Sequence, residues 1–333
     1  MKTFIKKIIK FSLAGLLPFL IITPGYFYYD PFKVLRPHSD YSFPYVITNR
    51  DYVSTEIFLK NYPKQQYNSF FFGSSRTGAF KISSWSKYLP ADAKPFMFDA
   101  AGESIYGIYR KVKFLDSMHI KMNNAFILLC RDFAFNNEAN HKGHLFIKDP
   151  KISGESNVDF QLEFYKVYLN PVFLFCFYSY KITGQFKPYM NGYINDKKIA
   201  IDSITNEINI IDREEDITQH PVQYYLKRND VFYERTGEKT DSVNRINGKK
   251  LYMLNEIKRI LEKNNTNYKV VLSPLYEQIR FSHSDEYELK TVFGNNLYDF
   301  SGKNSFSEYK TNFYEQSHFR PNVADSILKI VYQ

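Results

Sequence analysis

Apolar and polar positions change rhythm several times along the chain. Short apolar runs closed by glycine, proline or polar residues occur at 67–73 (YNSFFFG), 94–102 (KPFMFDAAG), 124–132 (NAFILLCRD), 268–274 (YKVVLSP) and 295–302 (NNLYDFSG). Runs of this kind suit strands that a parallel sheet buries on both faces. Between them the apolar positions take helical spacing. Ile105, Ile108, Tyr109, Val112 and Leu115 follow Ser104, and Leu251, Leu254, Ile257, Ile260 and Leu261 mark a second helix. Residues 284–293 begin with Asp285 and Glu286, as a helix start does. Val323, Ala324, Ile327, Leu328 and Val331, after Pro321 and Asn322, mark a terminal helix. Strand alternating with helix predicts an α/β fold: a three-layer α/β/α sandwich around a five-stranded, mostly parallel sheet.

Three segments stand outside this rhythm. Residues 30–66 read as an aromatic, proline-dotted connector with a short helix near 51–60. Residues 133–245 read as an insertion or lid over one end of the sheet. Within it, 159–184 is aromatic and helical in pattern, more core or lid than cofactor pocket. Lys166 and Lys181 there bracket only fourteen residues, short for a bilayer span. The part around 190–245 is polar and irregular, and its run Glu214, Glu215 and Asp216 reads as a solvated face. The third segment is the N-terminus. Lys2, Lys6, Lys7 and Lys10 precede an uncharged stretch at 11–29. Nineteen helical residues span roughly 28 Å, about one hydrocarbon core. Tyr26, Phe27, Tyr28 and Tyr29 would lie at the far interface, and the leading lysines place the N-terminus in the cytoplasm. Residues 1–29 are therefore expected to be a cytoplasmic tip and transmembrane helix. A cleaved signal peptide is the alternative, although no A-x-A-like site follows the apolar run.

Charge narrows the partners. The chain has 44 basic and 35 acidic residues, a net of +9, which suits an anionic surface. The basic residues are scattered outside the N-terminal cluster, and no basic stripe or nucleic-acid signature accompanies them, which argues against nucleic acid. Cys130 and Cys176 sit in apolar runs and read as buried thiols; a disulfide stays open if the domain is exported. His141 and His144 are three apart with no third ligand in sequence reach, so a solvated loop outweighs a metal site.

Ligands of an open parallel sheet bind at the carboxyl ends of its strands. Five loops therefore hold the candidate chemistry. The first contains Gly73, Ser74, Ser75 and Arg76, and the last runs to NFYEQSHFRP at 312–321. A serine needs a base, and a histidine base needs an acidic partner to set its tautomer. Glu315 and His318 are three residues apart, just before the terminal helix. Ser75 lies at the same predicted sheet edge. The backbone amides of Ser75 and Gly102 are the candidate oxyanion donors. Each residue has a plainer reading: a turn serine capping a helix, a structural histidine, a solvated carboxylate, a loop glycine needing positive φ. Arg76 suits a polymer carboxylate, or a structural salt bridge.

FFFGSSRTG, the loop glycine Gly102 and the Glu-x-x-His of EQSH together resemble the SGNH/GDSL hydrolase superfamily. The likeness covers about 66–333 and leaves 133–245 without a motif. It is nearest to the membrane-anchored branch of alginate O-acetylation proteins and the teichoic-acid D-alanine transfer protein. The resemblance implies an SGNH/flavodoxin-like sandwich at 67–333, with Ser75 as nucleophile, His318 as base and Glu315 as its partner. It also implies an extracytoplasmic acyl-ester hydrolase or O-acyltransferase acting on cell-envelope polysaccharide. Such a protein would be single-pass in a bacterial inner membrane, with its catalytic domain in the periplasm. No metal or organic cofactor is implied; a membrane-bound acyltransferase is the implied partner of a transferase. Arg76, Arg131 and Asp132 are candidate substrate contacts. Ser74 stands where the first block usually has an aspartate. Two further departures bear on activity: Glu315 replaces the usual aspartate, and Cys130-Arg131-Asp132 replaces the third block that ordinarily supplies an oxyanion asparagine. The alternative is therefore a catalytically silent relative that binds glycan or scaffolds an envelope complex. A nucleotide-binding α/β protein is disfavoured, because no glycine-rich phosphate loop is present.

Overall fold

The computed structural model describes residues 2–333, without the side chains of residues 2, 3, 8, 9, 12–19 and 21. Five strands form one parallel sheet: β1 (Ser69–Gly73), β2 (Pro95–Met97), β3 (Asn124–Leu129), β6 (Asn267–Leu272) and β7 (Leu297–Asp299). Its order is β2-β1-β3-β6-β7. Counted within the sheet alone this is 2-1-3-4-5, the doubly wound order whose switch point lies between the first and third strands. Two further strands, β4 (Ile199–Ile201) and β5 (Ile208–Ile210), form a separate antiparallel hairpin.

The apolar runs lack polar alternation because both faces of the sheet are covered. Phe70, Phe72, Ile127, Leu129, Val270 and Leu272 point into one core, and Phe71, Phe126, Leu128 and Val271 into the other. Phe71 and Phe126, opposite in register, stack at 4.3 Å. The helices that follow are α1 (Lys2–Tyr29), α2 (Arg50–Gln65), α3 (Ile105–Ser117), α4 (Asn157–Tyr168), α5 (Pro171–Thr183), α6 (Ile211–Gln219), α7 (Gly248–Lys263), α8 (His283–Phe293) and α9 (Pro321–Tyr332). Helices α2, α3, α7 and α8 cover the first face, and α9 packs on the second with Trp85 and Phe80. The three-layer α/β/α expectation is met.

The expected connector differs from the observed one. Its helix α2 is longer than 51–60 and belongs to the sandwich. Phe58 is buried there, stacked on Phe98 at 5.2 Å and edge-on to Phe96 at 5.5 Å. Truncating so buried a phenylalanine costs about 3–5 kcal/mol. The aromatic segment 159–184 is two helices rather than one. Asn170 caps α5 by accepting from the amides of Val172 and Phe173, and Pro171 has no amide to continue α4. These helices do not lie over the sheet. They form a third core with Tyr26, Phe32 and Val34. Cys176 lies in that core and Cys130 in the second sheet-face core; both thiols are free, which closes the disulfide alternative. The predicted membrane span at 11–29 draws mainly on positions 12–19 and 21, whose side chains lie outside the described residues. Among the described residues no helix is long and apolar enough to cross a membrane.

Candidate active site

Strand β1 ends at Gly73. A Cβ there would lie 2.8 Å from Thr77 Cγ2 and 3.0 Å from Leu128 Cβ, so only glycine lets the chain turn this close to β3. Ser74 is buried, with its Oγ 3.2 Å from Cys130 Sγ. Ser75 is exposed and opens a 3-10 turn at Ser75–Ala79. Thr77 closes that turn through its amide on the Ser74 carbonyl at 3.0 Å. The two serines therefore part company: one packs into the sheet, the other stands at its edge.

The second half of the site is a tight loop between Phe313 and Phe319. Both rings are buried, and the two residues form an isolated antiparallel bridge. Inside it the Tyr314 amide donates to the His318 carbonyl at 2.8 Å. The loop carries Glu315 and His318 to the serine. Ser75 Oγ lies 2.8 Å from His318 Nε2, and His318 Nδ1 lies 2.6 Å from Glu315 Oε1. Glu315 Oε1 also accepts from the His318 amide at 2.8 Å and from Ser317 Oγ at 2.8 Å. The Arg213 guanidinium stands 3.8 Å from Glu315 Oε2. Burial pushes the Glu315 carboxyl up. The hydrogen bonds and charges around it, first of all His318, prevail and hold it at about 2. Glu315 is thus an anion throughout the physiological range, fit to orient the imidazole and to balance an imidazolium.

Arg76 borders the larger cavity at Ser75, but its guanidinium is paired within the protein. It is buried, donates to both oxygens of Asp132 at 2.8 and 2.6 Å, and also donates from Nε to the Ser317 carbonyl. This one side chain ties the serine turn, the loop after β3 and the histidine loop together. Arg131 is similarly committed, to Asp241 at 2.7 Å and to Glu277. Neither Arg131 nor Asp132 borders the cavities that open at Ser75. The candidate substrate contacts of the sequence are thus a structural brace, for a plain reason: three charges of this kind near a buried strand end must find partners. Gly102 is buried at φ +54, with Phe146 3.1 Å from where a Cβ would lie. Its amide belongs to the peptide following Ala101, and Ala101 borders one of the cavities.

The segment expected to be polar and irregular supplies much of the site wall. Helix α6 brings Arg213 and Glu214 to a cavity of about 460 Å³ that also meets Ser75, His318 and Tyr314. Glu214 is no solvated carboxylate: it receives a bidentate pair from Arg320 at 3.0 and 2.9 Å. The hydroxyls of Tyr224 and Tyr225 donate to the Tyr314 and Phe313 carbonyls at 2.9 and 3.1 Å, so the same segment buttresses the histidine loop. A second cavity of about 170 Å³ meets Ser75 and His318 and is walled by Ile199, Ile201, Ile208 and Ile210. Alternation of IAI and INI was the signal for that hairpin, but three-residue strands are too short to stand out. His141 and His144 pack against the rings of Phe146 and Phe32. No family model matches this chain, and no curated protein matches it.

Proposed function

We propose that the chain is an acyl-ester enzyme of the SGNH type, working through an acyl-serine. One observation carries this reading: the unbroken relay from Ser75 Oγ through His318 to Glu315, at 2.8 and 2.6 Å. His318 Nε2 takes the Ser75 proton as Oγ bonds to the ester carbonyl carbon. The carbonyl oxygen, now an anion, faces the amides of Ser75 and Gly102. As the ester C–O bond breaks, His318 returns the proton to the departing alkoxide oxygen. Water, or a sugar hydroxyl, then gives its proton to His318 and attacks the acyl-serine carbonyl; the bond to Ser75 Oγ breaks, and His318 returns that proton to Oγ. Water makes the enzyme an esterase; a sugar hydroxyl makes it an O-acyltransferase. Glu315 stays ionised and holds the Nδ1 proton.

The resemblance in FFFGSSRTG and EQSH supports cell-envelope polysaccharide as the polymer. The uncharged stretch at 11–29 after four lysines supports a single anchor in the inner membrane, with the domain on the periplasmic side. A membrane-bound acyltransferase would supply the acyl group in the transferase case. The test is turnover of p-nitrophenyl acetate, with mass-spectrometric trapping of acylated Ser75. Equal turnover by wild type and Ser75→Ala would sink the mechanism.

One observation favours a silent, glycan-binding alternative. Asp132, where the third block ordinarily has its oxyanion residues, is paired with Arg76 and donates nothing to an oxyanion. Wild type without turnover, together with glycan retention unchanged in His318→Ala, would select that reading.

A further inference from the structure

We infer that the hairpin β4–β5 divides the cleft at Ser75 into an acyl side and an acceptor side, and that its four isoleucines restrict the acyl group to a short, uncharged chain. This rests on the acyl-ester reading above. In the hairpin register Ile199 faces Ile210 and Ile201 faces Ile208, so all four side chains share one face. That face walls the cavity of about 170 Å³. The opposite face carries Ala200 and Asn209, and both border the larger cavity with Arg213 and Glu214. Ile210, at the end of β5, touches both. Ser75 and His318 also border both cavities.

An ester with its carbonyl carbon at Ser75 Oγ must send its two halves different ways. The alkoxide oxygen has to stay near His318, its proton donor, and the rest of a polymer needs the larger, charged cavity. The acyl chain is left with the isoleucine side. A cavity of about 150 Å³ lined by aliphatic residues holds a benzene ring, so this one takes an acyl chain of up to roughly six carbons. Two charged residues, Arg50 and Asp99, also border it, but they are spent. Arg50 donates to both Asp99 oxygens at 3.1 and 2.9 Å and to Asn206 Oδ1 at 2.8 Å. An aminoacyl group would have to bury an ammonium with no free counter-charge, which the site disfavours. The hairpin itself is held firmly: the Met97 amide donates to the Thr205 carbonyl in its turn at 2.9 Å.

The experiment uses the full chain and the p-nitrophenyl esters of acetate, butyrate, hexanoate, decanoate and alanine. For wild type, kcat/KM is expected to fall about tenfold or more between butyrate and decanoate, with the alanyl ester also poor. In Ile199→Ala and in Ile208→Ala, the ratio of decanoate to acetate is expected to rise by about tenfold. Asn209→Ala, on the other face, leaves that ratio unchanged. Because the ratio is internal to each variant, it does not depend on how much of the variant folds. Decanoate used as well as acetate, a preference for the alanyl ester, or a ratio unmoved in both isoleucine variants overturns the inference while leaving the acyl-ester reading intact. Absence of turnover on every ester, equal in wild type and Ser75→Ala, rejects that reading and this inference with it.

Discussion

Two clusters of charged groups lie close together beside the sheet, and they are built to opposite ends. One is the relay of Ser75, His318 and Glu315. The other joins Asp51 of α2, Glu103 just before α3, Lys111 in the middle of α3, and Lys148 of the insertion. In the second cluster every side chain is at most 1% exposed. Lys111 Nζ sits 2.8 Å from both Asp51 and Glu103 and also donates to the Asp99 carbonyl at 2.9 Å. Burial opposes the charge on Lys111, yet Asp51 and Glu103 more than offset it and raise its pKa. Burial likewise pushes Asp51 up, and Lys111 and Lys148 bring it below its ordinary value. Every charge there is answered by another, and none of its side chains borders the two cavities at Ser75. The relay instead has one end open: Ser75 is exposed and His318 borders two cavities. Ionisable residues gathered at a strand end are therefore not by themselves a site. A closed network holds elements together, whereas an open one leaves a proton acceptor facing substrate.

Substitutions can break that contrast. The largest effect is expected for Ser75→Ala, which should lower ester turnover by about 10⁴-fold or more at unchanged thermal stability. Glu315→Gln keeps the shape but cannot hold the imidazolium, and should cost about 10³- to 10⁴-fold in kcat. A loss under tenfold would remove Glu315 from the relay. Lys111→Met leaves Asp51 and Glu103 with one cation fewer and should destabilise the fold by about 3–5 kcal/mol in urea titration. If stability instead held while turnover vanished, the closed cluster would be chemical after all.

Acid titration sharpens the same comparison. Glu315 is held at about 2 in the fold against an ordinary value of 4.5. A depressed carboxylate stabilises the fold fully above its unfolded pKa and loses that contribution as pH falls through the folded one. Glu315→Gln should therefore flatten the acid dependence of the unfolding midpoint between about pH 4.5 and pH 2; an unaltered slope would show that Glu315 is not held down. The smallest effect belongs to Ser74→Ala, which loses only a contact to Cys130 Sγ at 3.2 Å. About 1 kcal/mol or less of stability and near-native turnover are expected. A large loss of turnover would reopen which of the two serines is the nucleophile.

The strands of the sheet were legible because burial on both faces leaves unbroken apolar runs, such as SFFF and FILL. Helix α2 was harder to bound. Arg50, Asp51 and Glu56 look like a solvated helix, and are buried only because Asp99, Lys111 and Lys151 come to meet them. The role of Arg76 was undecided for the same reason, since its partners Asp132 and the Ser317 carbonyl lie 56 and 241 residues away.

The α/β alternation, the serine at the end of the first strand and the Glu-x-x-His before the last helix were readable along the chain, because each is a local pattern of spacing and residue type. That Ser75 and His318 meet, 243 residues apart, follows from a parallel sheet placing all its strand ends on one edge. What surrounds them came from folding alone: Arg76 turned inward as a brace, Glu214 drawn to Arg320, and a short hairpin from the insertion standing with isoleucines on one side and Asn209 on the other. Partners of this kind are chosen by packing and by the cost of burying a lone charge, and neither is written in the spacing of neighbours along the chain.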